Sequence, residues 1–226
     1  VYSLRPKVVH MGTPCTKMCL IGQKTLDDAT LAQNEFTMKV ATHQEAEGLG
    51  ASIENPKGST LPSQPAFAKT FGSMGMPKPG WSYYRLEGCQ LHVTYPGKDE
   101  PGRPINKASF WLANFDLSGM ELRCRKPAAL AGTSHKHRHI RGGMKVEGEG
   151  WQSVAAYTGK YSSEEGAVYG KACKTFCDTV SRRKERADTA LKKLADQSSV
   201  ARGEQGATPH RSHGSPQFLL AGDDQC

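Results

Sequence analysis

Two similar octets, one near each end of the chain, contain the residues whose types and spacing are best suited to chemistry. Residues 12–19 read GTPCTKMC and residues 170–177 read GKACKTFC, so both follow the pattern G-x-[PA]-C-[KT]-[KT]-[MF]-C. Two thiols four residues apart lie on one face of a helix, so each octet presents its thiols as a pair. The four cysteines of the octets are Cys15, Cys19, Cys173 and Cys177.

Four such thiols are compatible with several kinds of chemistry. Two thiolates from each octet would complete a tetrahedral zinc site, although zinc pairs usually have the shorter C-x2-C spacing. Disulfides within or between the pairs, and thioether attachment of a tetrapyrrole chromophore, are further alternatives. Cysteines that only pack as small hydrophobic residues are the simplest interpretation. The octets therefore define a candidate metal, disulfide or chromophore-attachment site and leave the choice open.

A second set of candidate residues is basic and lies mainly in residues 123–145 and 171–193. Within the first range, residues 134–143 read SHKHRHIRGG, in which cations alternate with histidines beside flexible glycines. Such a segment suits phosphate contact, and a metal-binding face of alternating histidines is the alternative. We predict contact with nucleic acid or another anion for Arg123, Arg125, Lys126, Lys136, Arg138, Arg141, Lys145, Lys174, Arg182, Arg183, Lys184 and Arg186.

The composition of the chain also favours a partner. Only 37% of the 226 residues are hydrophobic, the mean hydropathy is −0.58, and 24 Gly and 13 Pro are spread along the sequence. Because little apolar surface is available to offset the entropy of ordering the chain, we expect small folded patches joined by extended segments. The formal net charge of +8 and the pI near 9.1 favour a polyanionic partner such as RNA, DNA or an anionic membrane surface.

Two helices are predicted to position these residues. Residues 24–47 lack Gly and Pro and have apolar residues at steps of three and four, which predicts a helix with one buried face. Ser162 or Ser163 can cap a second, basic helix that has Glu164 and Glu165 in its first turn and runs to about residue 197. The buried stripe predicted for the first helix consists of Leu26, Ala29, Gln33, Phe36 and Val40.

A small antiparallel sheet is predicted between the helices. Residues 81–95 and 109–124 are the best strand candidates, and their aromatic residues are expected to fill the core rather than to stack on bases. Residues 48–80 are dense in Pro and Gly and are expected to form a loop or a surface-following arm.

The sequence therefore predicts an α+β fold with a small antiparallel sheet, two helices, and long extended arms and loops. Four regions are expected along the chain. They are an N-terminal arm, helix and Pro/Gly-rich extension over 1–80, a small antiparallel β core with a basic loop over 81–150, a long basic helix over 151–197, and an extended tail over 198–226.

Cysteine usage and the start of the chain bear on the compartment. Seven cysteines, an odd number without the spacing of a secreted disulfide scaffold, favour a reducing or organellar compartment, either mitochondrion or plastid. The chain begins at Val1 rather than Met, which is consistent with removal of a transit peptide. No run of 18 apolar residues occurs, so no transmembrane segment is expected.

The sequence lacks the short motifs of the common enzyme classes. It contains no G-x-S-x-G, no H-E-x-x-H and no P-loop, so no enzymatic activity is expected. We expect a non-enzymatic structural subunit of a large, organellar assembly, of which an organellar ribosomal protein that contacts RNA is the most concrete form. The alternatives are a linker protein of a phycobilisome-type light-harvesting antenna, which would contact acidic subunits and carry tetrapyrroles on cysteine, and a small metal- or thiol-dependent enzyme.

Overall fold

A computed structural model of the chain contains three helices and eight strands in the part that it describes. The chain forms two units, Val1–Arg182 and Arg183–Cys226. The helices are α1 (Asp28–Ala46), α2 (Pro65–Phe71) and α3 (Ser163–Glu204), and the strands are β1 (Val8–Gly12), β2 (Gly50–Pro56), β3 (Gly72–Ser73), β4 (Met76–Pro77), β5 (Ser82–Glu87), β6 (Ala108–Ala113), β7 (Gly143–Val146) and β8 (Gly150–Ser153). The described residues are 4–15, 17–18, 25–91, 94–95, 102–105, 107–124, 143–146, 150–153 and 161–204.

A four-stranded sheet with the order β1-β2-β6-β5 organises the first unit. Strands β2, β6 and β5 are antiparallel neighbours, whereas β1 pairs with β2 in parallel. The predicted α+β fold class and the antiparallel pairing of β5 with β6 are therefore confirmed. The complete sheet is mixed, because a strand from the predicted N-terminal arm joins its edge.

The central strand β2 lies in the region for which the sequence predicted no regular structure. Six of its seven residues are buried, and it bonds to neighbours on both sides. A strand buried on both faces needs no alternation of polar and apolar residues, so the alternating pattern used to find strands is absent. Pro65, which also counted against regular structure, occupies the first turn of α2, where proline is favoured.

Helix α1 forms where the sequence predicts it, but a different face is buried. Asp27 caps it by accepting a hydrogen bond from the backbone N of Thr30 at 3.0 Å, and Phe36 of the predicted stripe is 57% exposed. The buried side has partners for its polar groups, as when Gln44 Nε2 donates to Pro6 O and Gly50 O. Its members are Thr30, Asn34, Thr37, Val40, Ala41 and Gln44.

The sheet separates two hydrophobic clusters. On one side Ile53 and Leu112 pack with Phe67 and Phe71 of α2. On the other side Trp111 packs with Val168 and neighbouring residues in the first part of α3. Successive residues of β6 point to opposite faces of the sheet, so this strand contributes side chains to both clusters. As predicted for residues 81–95 and 109–124, large aromatic side chains fill the core: Trp81, Phe110 and Trp111 are each at most 3% exposed.

Helix α3 begins as the sequence predicts. Ser162 Oγ accepts a hydrogen bond from the backbone N of Glu165 at 3.0 Å, and Glu164 and Glu165 lie in the first turn. The helix continues to Glu204, a few residues beyond its predicted end. Its residues up to Arg182 belong to the first unit and those from Arg183 onward to the second.

Candidate functional site

The later part of helix α3 is an exposed basic surface. Every described side chain from Arg182 to Ser198 is exposed, and residues 171–193 contain eight Lys and Arg against three Asp and Glu. Arg186 and Lys193 are seven residues apart, which places them on one side of the helix. Lys184 and Lys192 are turned away from that side. The predicted contact residues Arg182, Arg183, Lys184 and Arg186 are thus accessible to a partner.

Lys174 differs from the other cations of this helix. Its ammonium forms an ion pair with Asp178 at 2.7 Å, and the Nε of Arg182 donates to the backbone O of Asp178 at 3.3 Å. The hydrogen bond from Lys174 holds the pKa of the Asp178 carboxyl below its usual value. Because its charge is partly neutralised within the helix, Lys174 is a weaker candidate for contact with an anion than Arg186.

A second cation lies beside an exposed aromatic ring in the first unit. Lys145 in β7 is exposed and pairs across the hairpin with Trp151 of β8, which is 76% exposed. A flat ring next to a cation is the combination that stacks on an unpaired base and meets its phosphate.

The remaining predicted contact residues are only partly described. Arg123 is an exposed residue whose Nε donates to Glu121 Oε1 at 2.7 Å. The other predicted cations of this region lie outside the described residues, namely Arg125, Lys126, Lys136, Arg138 and Arg141.

The two octets lie at opposite ends of strand β1. Cys15 follows Gly12, where the strand ends, and Cys19 lies outside the described residues. Phe176, between Cys173 and Cys177, packs against Gly50, which pairs with Val8 at the start of the strand. Four residue steps along a strand span about 13 Å. Cys15 is therefore not beside the second thiol pair.

The second thiol pair belongs to the interior side of α3. Cys173 packs against the hydrophobic cluster around Trp111, and burial raises the pKa of its thiol. A partly buried thiol with a raised pKa suits a packing role better than a metal-binding or chromophore-carrying one. Among the described residues, no group of three or more His, Cys, Asp and Glu side chains is arranged to hold a metal ion.

A polar network that the sequence did not indicate joins the sheet to helix α3. His10 Nδ1 lies 2.9 Å from Ser52 Oγ, and His10 Nε2 lies 3.1 Å from the hydroxyl of Tyr161. Ser52 Oγ lies 2.8 Å from the hydroxyl of Tyr169, and the hydroxyl of Tyr161 donates to Glu54 Oε2 at 3.4 Å. Strands β1 and β2 thus share hydrogen bonds with Tyr169 in the first turns of α3 and with Tyr161, two residues before the helix.

Aromatic stacking and burial set the electrostatics of this network. The His10 ring stacks on Trp111 with centroids 4.8 Å apart, and burial lowers the pKa of His10 to about 4, so the ring is neutral at pH 7. Burial raises the pKa of Glu54 and of Glu165, while the Lys107 ammonium opposes both shifts. A neutral imidazole and two carboxyls with raised pKa values are the perturbed groups expected at functional sites.

The network nonetheless holds its serine out of reach of a substrate. Ser52 is 0% exposed and its hydroxyl is shared between His10 and Tyr169, so the Ser52–His10 pair is not an accessible nucleophile and base. The evident effect of this hydrogen-bonded network is to hold α3 against the sheet. Sequence reasoning missed it because His10 lies in an apolar run and its partners are 42 and 151 residues away.

The edge of the sheet where the parallel strands end is more open. β1 ends at Gly12 opposite Glu54, and Cys15 follows a short distance along the chain. Asn55 Nδ2 donates to Thr13 O at 2.7 Å, and Asn55 Oδ1 has no hydrogen-bond partner among the described residues. A groove of about 440 Å3 lies alongside, between residues 11–14 and α1, with Thr37 and Phe36 in its wall. The carboxyl edge of parallel strands is a common position for binding sites.

Membrane topology and similarity to known proteins do not identify a function for this chain. Within the described residues no helix is both long and apolar enough to cross a membrane. Comparison with protein families, with curated proteins and with solved structures finds no match to this chain. The function must therefore be argued from the surfaces described above.

Proposed function

We propose that the protein is a non-enzymatic structural subunit of a larger, organellar assembly and that it contacts RNA through the exposed basic part of α3. The observation that carries the proposal is the run from Arg182 to Ser198, in which every described side chain is exposed although Leu191 and Leu194 are among them. A helical segment whose described side chains are all exposed has only its backbone hydrogen bonds to stabilise it, and these contribute little without packing against a partner. A partner that covers it would supply the missing stabilisation.

The charge of the helix favours a polyanion as that partner. Cations on one side, such as Arg186 and Lys193, would contact successive phosphates, and counterion release would drive the association. The exposed pair of Lys145 and Trp151 favours RNA with unpaired bases over a duplex, because a ring can stack only on an accessible base face.

Binding of the full chain to a single-stranded RNA, measured by fluorescence anisotropy over a range of salt concentrations, tests the proposal. The double variant Arg186→Glu with Lys193→Glu should bind at least about tenfold more weakly and show a shallower dependence on salt. Lys57→Glu with Lys69→Glu is the matched control, since it changes the net charge equally at two exposed cations that are not among the predicted contact residues. Equal losses in the two double variants would indicate that only overall charge matters, and no RNA binding by the wild type would overturn the proposal.

Trp151→Ala separates stacking from charge. It should weaken binding to single-stranded RNA by about 1–3 kcal/mol and leave binding to a base-free polyanion such as heparin unchanged. If the partner is instead an acidic protein, the tryptophan substitution will not change the weak, charge-driven binding to RNA, and the antenna-linker alternative gains support.

A thiol-dependent enzyme is the second candidate, and the edge where β1 and β2 end is the observation that favours it. There Cys15, which directly follows Pro14 in the wall of the groove near Thr37, would act as nucleophile. Alkylation of the intact protein tests this candidate. Preferential labelling of Cys15, prevented by a small molecule that occupies the groove, would support an enzyme, whereas uniform labelling of the accessible thiols would oppose it.

A further inference from the structure

Two thiols outside the octets meet beside the edge strand β5. Cys89 lies in the short 3-10 turn Gly88–Leu91 that follows β5, and Cys124 ends the described segment that follows β6. Leu86 forms a parallel bridge with Leu122, and the backbone N of Glu87 donates to Leu122 O at 2.8 Å. Gly88 and Cys124 each lie two positions after a residue of this bridge. Cys124 is therefore beside the turn Gly88–Leu91, which contains Cys89.

Side chains hold the two segments in this register. Glu87 is buried, its Oε2 accepts a hydrogen bond from the backbone N of Cys124 at 2.7 Å, and its Oε1 pairs with the guanidinium of Arg85. The thiol of Cys89 lies within hydrogen-bonding reach of the thiol of Cys124, and Gln90 Nε2 donates to Cys89 Sγ at 3.8 Å. Both cysteines are only partly buried, so a small reagent can reach them.

We propose that Cys89 and Cys124 are a reversible disulfide site that ties the chain after β6 to the sheet edge at β5. A disulfide needs sulfur atoms about 2 Å apart and Cα atoms within about 7 Å. Two thiols within hydrogen-bonding reach, on segments paired through Leu86 and Leu122, are placed so that side-chain rotation can bring the two sulfur atoms together.

The oxidant would be a low-molecular-weight disulfide such as oxidised glutathione. The thiolate of one cysteine attacks a sulfur of that molecule and releases the first small thiolate, which takes up a proton. The thiolate of the second cysteine then attacks the protein sulfur of the mixed disulfide and releases the second small thiolate. Two protein thiols are oxidised to one disulfide, and the reagent is reduced to two thiols.

The surroundings of Cys89 make this a slow and lasting bond rather than a fast sensor. Burial is the main cause that raises the pKa of Cys89 to about 11, and the neighbouring Cys124 and Glu87 raise it further. Few thiolates are therefore present at pH 7, so formation is slow and speeds up with pH. A thiol with a high pKa is also a poor leaving group, so reduction that must expel Cys89 is slow.

The bond would act on the segment that follows it. Cys124 directly precedes Arg125 and Lys126, the first cations of the predicted basic stretch. Closing the chain between positions 89 and 124 removes conformational freedom from the unfolded state and so stabilises the folded state. The state of the two thiols would thus determine how firmly Cys124, the residue directly before the basic stretch, is held to the sheet.

Oxidation of the purified full chain in glutathione redox buffers tests the proposal. The samples are quenched in acid, the remaining thiols are alkylated, and the cross-linked peptides are identified by mass spectrometry. We expect the Cys89–Cys124 cross-link to form under more reducing conditions than any other, and its rate of formation to rise at least fivefold between pH 7 and pH 8.5. The thermal midpoint should rise on oxidation of the wild type.

Matched variants complete the test. Cys89→Ser should abolish the rise in the thermal midpoint and leave Cys124 as a mixed disulfide, whereas Cys173→Ser should retain both the cross-link and the rise. Separate alkylation of Cys89 and Cys124 under fully oxidising conditions, or a cross-link between Cys173 and Cys177 in preference to theirs, would overturn the proposal.

Discussion

The two parts of helix α3 both have apolar residues at helical spacing, but their environments are opposite. Between Ser163 and Arg182 the helix packs on the sheet, with Tyr169, Ala172 and Phe176 against the cluster around Trp111. From Arg183 to Ser198 all described side chains are exposed, including Leu191 and Leu194. Periodicity therefore indicates which residues share a face of a helix, but it does not say whether anything covers that face.

Removing one large apolar side chain from each part gives the largest expected contrast. Phe176→Ala should lower the free energy of unfolding by about 3 kcal/mol, because the ring packs on Phe115 and against Gly50. Leu191→Ala should change it by less than about 0.5 kcal/mol, because Leu191 is exposed. Urea denaturation of the full chain measures both. Equal effects would mean that the later part of the helix is packed as tightly as the first.

A pH series probes the network that holds the first part of the helix. The native pKa of His10 is about 4, below its value in the unfolded chain, so the unfolded state binds more protons between about pH 4 and 6.5 and stability is lost as the pH falls through that window. His10→Gln should reduce the loss of stability between pH 7 and pH 5 by about 2 kcal/mol. An unchanged pH dependence would contradict a neutral, buried His10.

Glu54 has the opposite pH dependence and serves as the comparison. Its pKa is raised in the folded protein, so the native state binds more protons above the unfolded pKa and stability falls as the pH rises through the native pKa. Glu54→Gln should therefore gain stability relative to the wild type as the pH rises from 5 to 8. A constant difference between the two proteins over this range would show that the carboxyl is not perturbed.

Gly50 tests how closely the helix approaches the sheet. An added Cβ would lie 2.9 Å from Phe176 Cε1 and 3.0 Å from Val8 Cγ2, so Gly50→Ala should cost about 1–2 kcal/mol. The same substitution made together with Phe176→Ala should cost less, because one of the two clashes is removed. Additive effects in this double-mutant cycle would mean that the helix can move away without cost.

The smallest expected effect concerns the start of the helix. Ser162→Ala removes the acceptor for the backbone N of Glu165 and should cost about 1 kcal/mol. Ser163→Ala is the matched control, because Ser163 Oγ donates to the side chain of Glu164 and does not cap the backbone. Thermal denaturation of the two variants compares them, and equal midpoints would contradict the assigned cap.

Local chemistry made parts of the fold predictable. The cap at Ser162, the two long helices and the antiparallel pair of β5 and β6 were predictable because each depends on residues close together in the sequence. The prediction of which face of α1 is buried was wrong. Its buried residues Thr30, Asn34 and Gln44 are polar, and they are acceptable in the interior only because distant groups bond to some of them, as Pro6 O does to Gln44.

The candidate sites were likewise predictable from the sequence only where they depend on local properties. The exposed cations of α3 and the spacing of Cys173 and Cys177 follow from local sequence, since charge and helical period are local properties. The central position of β2, the meeting of His10 with Ser52 and Tyr161, and the placement of Cys89 beside Cys124 depend on the folded chain as a whole. These contacts join residues far apart along the chain, and they form because burying both faces of the sheet brings β1, β2 and α3 together, a requirement that no single segment expresses.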